Sequence, residues 1–121
     1  MVAVPAFLLR RLYVKGSLRN TADGFELQLK NSLGSGYAKG IMPLAVDGQE
    51  VPLAATFFRV DGVATPFTAV TEQSPFTLAL NKATTIAING QPLTPGAHKL
   101  VIGFVVVGLG KLSFDVTDAV A

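Results

Sequence analysis

Residues 25–31 read Phe25-Glu26-Leu27-Gln28-Leu29-Lys30-Asn31. In an extended chain Phe25, Leu27 and Leu29 fall on one side, and Glu26, Gln28 and Lys30 fall on the other. A period of two belongs to a strand with one face on a core and the other in water. Just upstream, Thr21-Ala22-Asp23-Gly24 predicts a hairpin turn, with a partner strand over residues 12–19. Downstream, Asp47-Gly48 and Asp61-Gly62 suit turns whose two central residues both take positive φ. Asn89-Gly90 and Gly108-Leu109-Gly110 read as further turns. Strand-like runs lie between them at 40–46, 56–60, 76–80, 84–88, 97–107 and 111–117. Short β-rich runs at this spacing predict an all-β chain, an antiparallel two-sheet β-sandwich, jelly-roll-like, of about eight to ten strands. The length fits a single domain over residues 1–121.

The run at 97–107 differs from the others. Its centre, Leu100-Val101-Ile102-Gly103-Phe104-Val105-Val106-Val107, does not alternate. Both faces are apolar, which predicts burial on both sides. The outer face of a sandwich strand normally meets water, so this strand calls for a second cover, such as a helix, a long loop or another chain. Residues 1–11 are also apolar until Arg10-Arg11 and read as a short N-terminal arm. Residues 5–13 are the best candidate for a turn or two of helix. The charges follow the apolar stretch instead of preceding it, which is the wrong order for a secretion signal. The stretch is also too short to span a bilayer. The expectation is a cytoplasmic chain without a membrane span.

Composition points the same way. Half of the residues are apolar and 15% are charged, against about 25% charged in an ordinary soluble domain. Large apolar surfaces mark interaction sites. The net charge is +2, with no clustered basic patch interleaved with aromatics, so nucleic acid is not an expected partner. The chain contains no cysteine, which excludes disulfides and thiolate metal sites.

No catalytic constellation is legible. The single histidine, His98, follows the Pro95-Gly96 turn and reads as a hydrogen-bonded residue at a strand end rather than a metal ligand. Asp23, Asp47 and Asp61 each precede a glycine and are explained by turn formation. Glu50, Glu72, Asp115 and Asp118 have no spacing that forces a carboxylate pair. An activity of its own would need a pocket around His98. No cofactor and no metal are expected.

Several segments carry a resemblance. Tyr13-Val14-Lys15-Gly16-Ser17-Leu18-Arg19-Asn20 and Gly24-Phe25-Glu26-Leu27, with Val46-Asp47-Gly48-Gln49-Glu50-Val51 and Leu93-Thr94-Pro95-Gly96-Ala97-His98, resemble a family of small archaeal proteins often labelled hydroxymethylglutaryl-CoA reductase. The reductase proper is a much larger enzyme, and its cofactor-binding and catalytic motifs have no counterpart here. The same order of features is similar to the β subunit of C-glycoside deglycosidases, a β-sandwich bound to a barrel-shaped catalytic subunit. The resemblance implies a sandwich built for association, and it transfers no catalytic residue.

The expected function is therefore a non-catalytic structural or interaction protein that self-associates into a homo-oligomer or an extended assembly. The expected contacts are Val2, Val4, Phe7, Leu8 and Leu9 of the arm and Val101, Phe104, Val105 and Val106 of the apolar strand. The alternative is an accessory subunit of a carbohydrate-active heteromer with a barrel-fold enzyme partner.

Overall fold

A computed structural model describes residues 4–120. Among them are eleven strands in two antiparallel sheets and one short helix. Sheet A contains β1 (Arg19–Asn20), β2 (Gly24–Lys30), β6 (Thr56–Val60), β7 (Val63–Pro66) and β9 (Ala83–Asn89), in the order β1-β2-β9-β6-β7. Sheet B contains β3 (Gly36–Ile41), β4 (Ala45–Val46), β5 (Gln49–Glu50), β8 (Phe76–Leu78), β10 (Gly96–Val106) and β11 (Gly110–Val120). Here β10 pairs with β11 along its whole length on one side, and with β4 and then β3 on the other. The two-sheet antiparallel sandwich expected from the turn spacing is the observed architecture.

The turns form for the reasons the sequence gives. Asp47 and Gly48 have φ of 52° and 85°, and Asp61 and Gly62 have φ of 52° and 81°. Paired positive φ values match the twist of the strands they join, and these turns close the β4–β5 and β6–β7 hairpins. Gly24 is fixed by close approach. A Cβ there would lie 2.1 Å from the Ile88 carbonyl oxygen, across the β2–β9 pairing.

The alternation in β2 sets the register of the core. Phe25, Leu27 and Leu29 face inward and are buried, beside Ile86 and Ile88 of β9 and Phe58 of β6. From the other sheet come Leu100, Ile102, Phe104 and Val106 of β10 and Phe114 of β11. Phe58 links the layers. Its ring centroid lies 4.0 Å from that of Phe76, 4.4 Å from that of Phe67 and 6.5 Å from that of Phe104. Such contacts add to the burial of three large rings.

Three local expectations meet the structure differently. First, the turn or two of helix expected over residues 5–13 is present, and the segment docks on its own chain. Ala6–Leu9 form a short helix, α1, and Arg10–Leu12 continue it as a 3-10 turn. This unit packs on β11 and β2 of its own chain, and closes the side of the sandwich where those strands end their sheets. The accessible surface, 6747 Å², is near the roughly 6,200 Å² of a folded monomer of this mass. Second, residues 12–19 are mostly not a strand. Only a bridge from Tyr13 to Leu29 and the two residues of β1 pair with β2, because Gly16, with φ of 84°, turns the chain between them. Third, the run at 40–46 is two strands, β3 and β4, broken at Met42-Pro43-Leu44, where Pro43 removes a ladder donor.

Candidate functional site

The apolar run in β10 resolves into two faces. Leu100, Ile102, Phe104 and Val106 point into the core, between 0% and 5% exposed. Alternation places Val101, Gly103 and Val105 on the opposite face. Gly103 has no side chain, and Met42 fills the space above it. A Cβ at Gly103 would come within 2.7 Å of the Met42 Sδ. Gly40 faces Val105 across the β3–β10 pairing, and a Cβ there would lie 3.6 Å from the Val105 side chain. Tyr37 and Val107, both more than half exposed, extend the apolar stripe at one end. Along β11 the stripe is edged by Lys111, Ser113 and Asp115, opposite Val105, Gly103 and Val101. The result is an apolar strip with a polar border, the anatomy of a protein contact.

The structure thus divides the residues expected to make contacts. Val101 and Val105 lie on the free face. Phe104 and Val106 do not, since they are core residues of their own chain and offer a neighbour nothing. In the N-terminal unit Leu9 is likewise buried at 3% exposure, while Val4 and Leu8 are half-buried against the fold. Phe7 stands 62% exposed. Val2 lies outside the described residues. An alternating strand separates its even and odd positions, a distinction that an all-apolar sequence conceals.

Two ion-paired clusters fasten the N-terminal unit and the far loops. Arg10 donates to Asp115 through Nε to its carbonyl and through Nη2 to Oδ1, at 2.8 and 2.9 Å. That guanidinium holds the Asp115 carboxyl below the usual range. Asp118 Oδ2 accepts the Tyr13 hydroxyl at 2.5 Å and the Gly16 N–H at 2.8 Å, and Oδ1 accepts the Ala119 N–H. Burial works to raise Asp118, yet these donors together hold it below its ordinary value. Burial and the neighbouring carboxylate push the Tyr13 phenol well above 10.0.

Beside it, at the position paired with Asp118 across β10 and β11, His98 Nδ1 lies 2.6 Å from Asp47 Oδ2, and Nε2 lies 2.7 Å from the Thr94 carbonyl. A carboxylate and a carbonyl both accept, so both bonds are made together only by the doubly protonated ring. The Thr94 carbonyl and then Asp47 raise its pKa, and Asp47 is lowered in turn, chiefly by His98. Asp47 Oδ1 also accepts the Lys99 N–H. A cleft of about 410 Å³ does adjoin His98. While both nitrogens carry protons the ring has no lone pair to offer a proton or a metal.

One acid escaped the sequence reading. Glu26 lies on the outer face of sheet A but is only 3% exposed. Arg19 from β1 and Arg59 from β6 cover it at 3.1 and 3.2 Å. In the sequence it looks like any outward residue of an alternating strand.

A second cavity, of about 390 Å³, opens between the sheets beneath α1. Its floor is Leu29, Phe104 and Val106, and its cover is Leu8 and Leu12.

Fold and surface together define a class of protein: a cysteine-free β-sandwich with an apolar strip on one outer face and a His98–Asp47 pair beside a surface cleft. Residues 8–121 match the family described as hydroxymethylglutaryl-CoA reductase, N-terminal domain, and the chain belongs to that family. No curated protein matches it. No helix among the described residues is long and apolar enough to cross a membrane.

Proposed function

We propose that this chain is a non-catalytic association module, and that its first partner is a second copy of itself seated on the outer face of sheet B. The outward Val101 and Val105, on a strand whose other face is already core, carry this reading. A twofold axis near Gly103 sets Val101 of each copy against Val105 of the other, the self-complementarity that a symmetric dimer requires. Burying a valine contributes roughly 1.5–3 kcal/mol at the upper end of what such a contact yields. Phe7 offers a second anchor at the edge, suited to propagating an assembly beyond a dimer.

Substituting Val101→Glu and Val105→Glu together tests this. Both positions face away from the core, so the fold is kept, and the particle is expected to fall to the 12.7 kDa of one chain. An unchanged larger size contradicts the proposal.

A second reading makes the module an accessory to a larger enzyme. The family description supports it, since it names one domain of a reductase, and so does the resemblance of the strand and turn segments to the sandwich subunit of C-glycoside deglycosidases. The same strip then meets a barrel-fold enzyme. Retention of such an enzyme by the native chain, and its loss with the double glutamate variant, supports this reading over the first.

A further inference from the structure

We infer that the cavity beneath α1 is a binding site for the hydrocarbon tail of a single-chain amphiphile with an uncharged polar head. The floor and the cover are almost wholly leucine, valine and phenylalanine. The one buried amide in the wall, Asn31, asks for no ligand. Its Nδ2 donates to the Gly34 and Leu78 carbonyls, and its Oδ1 accepts the Leu33 and Gly34 N–H groups. Among the described residues, no buried side-chain nitrogen or oxygen lacks a hydrogen-bond partner. Water inside such a space has few groups to bond, and apolar cavities of this kind stay dry or take up hydrocarbons. The volume, about 390 Å³, is more than twice that of the roughly 150 Å³ apolar cavity that binds benzene.

The rim sets the head group. The loop from Leu33 to Gly36 and Lys82 line the exposed side of the cavity. Lys82 Nζ is paired with Asp61 at 2.5 Å, so the rim presents the Ser35 hydroxyl, whose oxygen accepts the Leu80 N–H and whose proton is left to donate, rather than an unpaired cation. An alcohol or ester head fits this rim better than a carboxylate. At about 30 Å³ per water-sized group, the space holds roughly a dozen heavy atoms. The cover is α1, a helix short enough to lift at its Pro5 end.

Calorimetric titration with n-alkanols of increasing length, each below its solubility limit, tests this inference. Affinity is expected to rise about fourfold per added methylene and to stop rising near a dozen carbons. Decanoate is expected to bind no more tightly than decanol. Filling the cavity with Ala79→Trp weakens decanol at least tenfold. Enlarging it with Leu8→Ala moves the break to longer chains, and this arm decides the matter should the tryptophan variant not fold. No saturable binding, a rise without a break, or a break unmoved by Leu8→Ala overturns the inference.

Discussion

The Tyr13 hydroxyl donates to Asp118 Oδ2 at 2.5 Å, joining the segment after α1 to the end of β11, 105 residues away. Together with Arg10 on Asp115, it holds the N-terminal unit across the open side of the sandwich. The cavity exists because this unit is held there.

Tyr13→Phe removes one hydrogen bond to a partly buried carboxylate and leaves the ring in place. Stability is expected to fall by about 1.5–3 kcal/mol, the range for a bond to a charged group. Denaturant unfolding checks this, and a change within experimental error contradicts the clasp. Because Asp118 is held below its ordinary value of 3.8, its contribution is present above that pH. It is lost as pH falls through the lower folded value.

The His98–Asp47 pair gives stability a pH window. The folded pKa of His98 is raised above 6.5, so its contribution is complete below 6.5 and disappears as pH rises through the folded value. Asp47 is lowered from 3.8, so its contribution is present above 3.8 and fades as pH falls further. The melting-temperature difference between the native chain and His98→Gln is therefore expected to be greatest between these two pH values and to shrink in mild alkali. A difference that stays level from pH 5 to pH 9 contradicts the imidazolium assignment.

Glu26 predicts an asymmetry. Replacing both Arg19 and Arg59 with alanine leaves a buried carboxylate unpaired, at an expected cost of about 1–3 kcal/mol. Replacing Glu26 with methionine frees two arginines that already reach solvent, and exchange of a buried ionic group for an apolar one of similar volume is often neutral. Equal losses in the two unfolding curves contradict this account of the cluster.

The regular parts of the fold were legible in the sequence. The alternation of Phe25, Leu27 and Leu29, the Asp-Gly turns at 47–48 and 61–62, and Leu112 and Phe114 in the last strand all appear where local pattern places them. These features are set by neighbours one or two residues apart. The face that each β10 residue takes was not legible, because Val101 and Phe104 are equally apolar and only the register against β11 separates them. That the N-terminal segment docks on its own chain was not legible for a related reason. What docks it is a pair of carboxylates at positions 115 and 118, and no local pattern links them to Arg10 and Tyr13. The burial of Glu26 depends on Arg19 of the adjoining strand together with Arg59, 33 residues away. The cavity arises where both sheets and α1 meet, a relation that no stretch of residues announces.

Light scattering of the native chain across a concentration series is the most direct test of the claim that sheet B carries a contact face. A mass of two chains or more at micromolar concentration, reduced to one chain by Val101→Glu with Val105→Glu, is the predicted result. A single-chain mass at every concentration, with Val101 and Val105 tolerating glutamate without effect, would contradict it.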